Sequence, residues 1–107
     1  MARYSASGSQ TLTTSATTAL GFAAQSTAHR NSVYEMWFGN VGSPADQVSV
    51  QTVQRITADG SGTAVTPTAL DPADRASQCT CLENHTSEPT YTSNTEVMEI
   101  PLNHRAT

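Results

Sequence analysis

The chain has 107 residues, of which 29 are Ser or Thr and only 16 are Leu, Ile, Val or Phe. This length predicts one domain and excludes a two-domain enzyme. With a net charge of −4, five Arg and no Lys, the chain lacks the basic cluster needed to bind nucleic acid or an anionic membrane. Low charge also argues against disorder, so the composition favours a Thr- and Ser-rich β protein with a thin core.

The beginning of the chain lacks the apolar stretch of a secretory signal, and no apolar run approaches the ~20 residues of a membrane span. We therefore expect the protein to be made and folded in a cytoplasm. In that reducing compartment Cys79 and Cys81 are expected to be thiols. The glycosylation pattern Asn84-His85-Thr86 is expected to be a chance match, because no secretory signal accompanies it.

Residues 1–28 are low in complexity and carry few large side chains. Leu12, Thr14, Ala16 and Thr18 recur at the spacing of one face of an extended segment. We predict either a first strand or an N-terminal arm that becomes ordered against a partner. The rest of the chain, residues 29–107, is predicted to form the β domain.

Residues 33–38 form the richest apolar segment, and a turn signal, Gly39-Asn40, follows them. This pattern predicts a strand of about six residues. Apolar side chains on both faces indicate a central strand that is covered on both sides. Its aromatic residues are interpreted as core or interface, with stacking against a sugar or base as the alternative; they are Tyr34, Trp37 and Phe38.

Residues 47–57 alternate Val48 and Val50 with polar neighbours, which predicts a half-buried strand. The parity of the apolar positions then shifts, and a β-bulge near Thr52 or Gln54 would account for the shift.

Two turns flank this strand. Residues 42–46 contain Gly and Pro and predict a loop. On the other side, Asp59-Gly60 is a strong hairpin signal, so residues 47–57 and 63–66 are predicted to pair as antiparallel strands. Gly60-Ser61-Gly62 is interpreted as turn chemistry, since no helix N-terminus stands behind it to bind phosphate.

The last third of the chain predicts one turn, one loop and one strand. Residues 70–76 resemble a single helical turn with Asp71 at the N-cap and Pro72 next. Residues 77–94 show no periodic pattern and predict a long loop that is functional or packed against something else. Residues 95–102 alternate as a strand, with Met98, Ile100 and Leu102 on one face and Val97, Glu99 and Pro101 on the other.

No helix longer than a turn is required, and turn signals separate the strands at short intervals. The predicted fold class is therefore all-β: a small antiparallel β-sandwich or jelly-roll-like module with an extended N-terminal arm.

Cys79, Cys81 and His85 are the candidate metal ligands. In an extended chain the two sulfurs share a face, and the imidazole could add a third ligand. Two ordinary loop thiols are the simpler interpretation, because zinc sites prefer wider Cys spacing and no fourth ligand is close in sequence. A disulfide at this spacing would be strained.

The sequence also gives little support for catalytic groups. His29, His85 and His104 are predicted to be exposed loop residues, because no strained turn offers them a Ser nucleophile. Asp71 and Asp74 fit capping and first-turn charges better than an acid/base pair. We predict no enzyme activity, no metal and no cofactor.

Several segments together resemble small virion structural proteins of tailed bacteriophages, most closely capsid decoration, or cement, proteins. The resemblance covers about residues 30–107 and depends on the order of the segments. The segments are residues 33–39, 42–46, 53–55, 70–74, 85–91 and 103–107.

The resemblance implies a β-sandwich or jelly-roll-like module, often a homotrimer, that sits on the outside of a virion and clamps neighbouring copies of the major capsid protein. It implies no catalysis and no cofactor. Related chains continue past the Arg-Ala-Thr at residues 105–107, so a partner strand or neighbouring subunit is expected to cover Met98, Ile100 and Leu102. Two alternatives remain: a carbohydrate-binding or adhesin-like β module that uses Trp37 or Tyr91, and a tail or neck protein of the same virions.

Overall fold

The computed structural model describes residues 2–24, 30–40 and 48–103. Within these ranges the chain forms strands and no helix, so the all-β prediction is confirmed. None of the described residues belongs to a helix long and apolar enough to span a membrane. The strands are β1 (Tyr4–Ser5), β2 (Leu20–Ala23), β3 (Val48–Ala58), β4 (Ser61–Val65), β5 (Thr68–Ala69), β6 (Thr80–Ser87) and β7 (Thr90–Asn103).

The described strands form three sheets. β1 pairs with β5, β6 lies between β2 and β4, and β3 pairs with β7. All pairings in the first two sheets are antiparallel. The chain divides into two compact units, the first made of Met1–Ser32 and Ala58–Thr90 and the second of Val33–Thr57 and Tyr91–Thr107. The boundary predicted between residues 28 and 29 falls at residues outside the described ranges and stays a prediction.

The predicted pairing of β3 with β4 is wrong. Asp59 and Gly60 are not part of a turn, and β4 pairs with β6, in the register Ala64 to Leu82 and Val65 to Cys81. A turn signal in the sequence favours a local reversal, but it does not select the strand that becomes the neighbour. β6 places the buried Cys81 opposite Val65, and Gly60 and Gly62 allow the close approach of its backbone.

The long loop predicted over residues 77–94 is also wrong, because it contains β6 and the start of β7. Its alternation is hidden in the sequence for two reasons. The buried side chains of β6 are Cys81 and His85 in place of large aliphatic residues. In addition, Asn84 has a φ of 47° and interrupts the regular strand geometry.

The strand predicted at residues 33–38 is not formed. Residues 30–40 lie outside every described strand, and all of them are exposed. Residues 70–76 form a turn and no helix. The capping role of Asp71 is confirmed there, because its side-chain oxygen accepts the amide of Ala73 at 2.9 Å. The amide of Asp74 also donates to the Asp71 carbonyl, at 3.0 Å.

The predicted faces of β7 are confirmed. Met98, Ile100 and Leu102 are half-buried, whereas Val97, Glu99 and Pro101 are exposed. In β3 the burial parity changes between Val53 and Gln54, which is where the sequence predicts an irregularity. Its exposed face is the apolar one, because Val48 and Val50 remain 64% and 60% exposed. The predicted loop at residues 42–46 lies outside the described residues.

The β4–β6 ladder contains a bulge that needs a glycine. Ser61 pairs with Ser87 and Thr63 with Glu83, so Gly62 alone stands opposite three residues of β6. A Cβ on Gly62 would lie 2.6 Å from the Glu83 carbonyl oxygen. A Cβ on Gly60 would clash with the Ser87 carbonyl oxygen. The Gly-Ser-Gly sequence is therefore a consequence of close backbone approach to β6.

The segment between β1 and β2 is attached to the β6 region through side chains. The Ser9 amide donates to Oε2 of Glu83 at 3.1 Å, and the Thr18 amide donates to Oε2 of Glu88 at 2.9 Å. The Thr18 hydroxyl donates to the same Glu88 oxygen. Carboxylates that accept backbone amides make stronger hydrogen bonds than neutral acceptors. Part of the predicted N-terminal arm is thus packed against its own chain.

Replacing either glycine should destabilise the first unit. We expect Gly62→Ala and Gly60→Ala to lower the free energy of unfolding by about 1–3 kcal/mol, because backbone must move to admit the methyl group. Gly39→Ala is the control, since a Cβ there has no neighbour within 4 Å. Urea denaturation measures the differences, and equal stability of all three variants would contradict the packing described.

The Glu88 contact is tested by amide exchange. In Glu88→Ala the Thr18 amide loses a charged acceptor, so we expect its hydrogen exchange, measured by NMR, to accelerate about tenfold. Glu99→Ala, at an exposed position of β7, should leave Thr18 unchanged. An unaltered Thr18 rate in Glu88→Ala would show that the carboxylate does not hold the segment.

Candidate functional site

The candidate metal ligands and histidines have specific structural positions. His85 is only 8% exposed, so its prediction as an exposed loop residue is wrong. It lies on β6, and its Nδ1 is 3.2 Å from the Thr18 carbonyl oxygen. Because a carbonyl oxygen can only accept, Nδ1 carries the hydrogen of this bond. His29 and His104 lie outside the described residues.

Cys79 and Cys81 are both free thiols. Cys79 is half-buried just before β6, whereas Cys81 is 5% exposed within it. Among the described residues no group of three or more His, Cys, Asp or Glu side chains is placed to hold a metal ion. Burial raises the pKa of the Cys81 thiol, and the neighbouring Cys79 charge raises it further. Cys81 therefore has the environment of an inert structural thiol.

The Asp pair lies in an open depression whose lining is Arg3, Leu70, Asp71 and Asp74. Asp71 is occupied by its turn contacts, and the Tyr4 hydroxyl donates to the nearby Arg75 carbonyl oxygen at 2.8 Å. The Leu70 amide donates to the Arg3 carbonyl oxygen at 2.9 Å. These bonds join the N-terminal strand to the turn, so the depression has a structural explanation.

Residues 33–38 are the most unusual surface feature, and we call them the aromatic segment. Trp37 is 87% exposed and Tyr34 is 61% exposed. The Trp37 indole N–H donates to Oε1 of Glu35 at 2.8 Å, within the same segment. The interpretation of these aromatics as core is therefore wrong, while interface and ligand stacking both remain.

Apolar exposure is concentrated in the second unit. Besides the aromatic segment, it includes Val48, Val50, Tyr91 and Val97, and Val97 is 74% exposed. Exposed single hydrophobic residues are ordinary, but contiguous or clustered ones mark interaction sites. In the described residues of the first unit the exposed large apolar side chains are Leu12, Phe22 and Leu70. The second unit therefore carries the candidate interaction surface.

Sequence reasoning singled out the aromatic segment by its composition but assigned it to a covered strand. It did not identify the exposed valines of β3, because alternation alone does not say which face of a strand is covered. It also missed the role of Glu83 and Glu88 as acceptors for backbone amides. No local signal in the sequence announces those contacts, since their partners are more than sixty residues away.

The difference between the two thiols is measurable. At pH 8 we expect iodoacetamide to modify Cys79 at least about tenfold faster than Cys81, because burial and a raised pKa both reduce access to the Cys81 thiolate. Cys81→Ser and Cys79→Ser isolate the two reactions. In urea the rates should converge, and equal rates in the folded protein would contradict the burial of Cys81.

We compared the whole chain with known protein families, curated proteins and solved structures. The chain matches no family model, no curated protein and no solved structure. Its function is therefore inferred from its own residues and their placement.

Proposed function

We propose that this chain is a virion structural protein of the capsid decoration type, and that it acts through protein–protein contacts. The observation that carries the proposal is the exposed aromatic segment, with Trp37 at 87% exposure on a chain in which very few of the described side chains are buried. Burying such aromatics supplies much of the free energy of a protein interface. Decoration of the outer capsid lattice requires that kind of contact.

Composition agrees with this role. Ser and Thr provide uncharged, strand-compatible surface, and their burial costs less desolvation than burial of Lys or Glu. All five basic residues are Arg, the cation that is enriched at interfaces where Lys is depleted. A protein that must be covered by neighbours on a particle benefits from both features.

The proposed assembly is a homotrimer attached to the capsid lattice. In a closed trimer each subunit meets two neighbours, and attachment to the major capsid protein adds a third contact. We also propose that the assembled module is a β-sandwich, in which the exposed apolar face of β3 and the half-buried face of β7 are covered.

A second candidate function follows from the same aromatic side chain. An exposed indole beside a carboxylate resembles a carbohydrate platform, in which the ring stacks on a sugar and the carboxylate accepts a hydroxyl hydrogen. Trp37 and Glu35 supply both groups, although the 2.8 Å bond between them occupies one carboxylate oxygen. A carbohydrate-binding or adhesin-like module is therefore the alternative.

Binding to capsids separates the two functions. We expect the purified chain to co-sediment with capsids assembled from the major capsid protein of the same genome. Trp37→Ser should weaken that binding at least about tenfold, as expected for removal of a central interface aromatic. Leu12→Ser, which removes another exposed apolar side chain, should bind like the unmodified chain.

The fluorescence of the single Trp completes the test. Capsid binding should protect Trp37 from acrylamide quenching, while a panel of oligosaccharides should leave its emission unchanged. Saturable quenching or shifts with a sugar, together with no capsid binding, would replace the decoration role by the carbohydrate role. Binding to purified tails or necks in place of capsids would move the protein to that part of the virion.

A further inference from the structure

We infer that the aromatic segment becomes a β-strand when it adds, in a second copy of this chain, to the edge of β3 that pairs with no described strand. This inference rests on the proposed function and specifies how the homo-oligomer forms. Its starting point is a mismatch between sequence and structure. The segment has a strand-forming sequence, yet none of its residues belongs to a described strand.

The composition of the segment fits insertion between two layers. In an extended conformation Tyr34, Met36 and Phe38 share one face, and Val33 and Trp37 lie on the other. All five are exposed, between 37% and 87%. A strand with apolar side chains on both faces is stable only where both faces are covered, so its partner must provide a sheet edge with apolar neighbours.

The sheet formed by β3 and β7 would in turn be stabilised by an additional strand. Among the described residues it contains two strands, and two-stranded sheets are marginal on their own in water. A third strand would cover backbone groups at an open edge and extend the apolar face that Val48 and Val50 expose. The aromatic segment therefore needs a sheet edge to pair with, and the sheet of β3 and β7 needs a further strand.

β3 is the better acceptor of the two strands. It runs for eleven residues without Gly or Pro. β7 contains Pro101, which has no amide hydrogen, and Asn94, whose φ of 57° departs from strand geometry. Charge agrees as well, because Arg55 is the one charged residue of β3 and Glu35 is the one charged residue of the aromatic segment.

Charge and topology favour a second copy as the partner, because Glu35 and Arg55 occur in every copy and the aromatic segment belongs to no described strand of its own chain. Self-association gives every chain one donor segment and one acceptor edge, so each chain makes two equivalent contacts in a closed assembly. Reciprocal exchange would close a dimer, and the trimer of the proposed function is the next larger closed assembly.

The experiment compares proline with alanine in the full chain. Proline removes an amide donor, and because residues 30–40 lie outside every described strand, it breaks no ladder between the described strands. Successive amides of a strand point to opposite edges, so Glu35→Pro and Met36→Pro together test both edges. Each has its alanine variant as the matched control, and Asn31→Pro controls for proline near the segment. Sedimentation equilibrium measures the association constant.

We expect the unmodified chain to self-associate, and at least one of the two proline variants to weaken association about tenfold more than its alanine control. Hydrogen exchange should show residues 33–38 and 48–57 slower in the oligomer than in the diluted monomer. The charge swap identifies the acceptor: Arg55→Glu and Glu35→Arg should each weaken association, and the double variant should restore it.

Each part of the proposal would be contradicted by a different result. Equal effects of proline and alanine would overturn strand addition and leave a side-chain interface. Protection of residues 33–38 without protection of 48–57, or a double variant that stays weak, would overturn β3 as the acceptor. A chain that remains monomeric at millimolar concentration would overturn the second copy as partner. Capsid co-sedimentation would still decide the proposed function separately.

Discussion

β6 is the strand on which the first unit depends. It pairs on both edges, with β2 and with β4, and it supplies the buried Cys81 and His85. Its own carboxylate Glu83, and Glu88 just after it, accept amides from the segment that precedes β2. In a unit with so few large apolar side chains, backbone ladders and charged acceptors take over part of the role that an aliphatic core performs in larger domains.

This dependence explains where sequence reasoning succeeded and where it failed. The all-β class, the two faces of β7 and the Asp71 turn were predicted correctly, because each follows from local periodicity or from one capping side chain. β6 was missed because its buried residues are a thiol and an imidazole and because the bulge at Asn84 breaks its alternation. The irregularity of β6 becomes apparent only in the structure, where Gly62 of β4 stands opposite three residues of β6.

The prediction for the aromatic segment was wrong for a different reason. Its composition was recognised from the sequence, and strand propensity then placed it in a covered position. Propensity describes how well side chains fit a pleated surface, but it does not supply the neighbouring strand. The exposure of Trp37, at 87%, could therefore not be predicted from the sequence, which assigned this side chain to the core or an interface.

The two units consequently pose different physical problems. In the first, polar contacts satisfy a thin core within one chain, so its residues need no partner to explain them. In the second, a strand-forming sequence and exposed valines occur together with a sheet that has two strands among the described residues. The strand propensity of the aromatic segment disagrees with its exposed, non-strand conformation. In natural proteins such disagreements concentrate at functional sites. Under the proposed strand addition, the aromatic segment would gain stabilising contacts from a second copy, and assembly would then be coupled to folding.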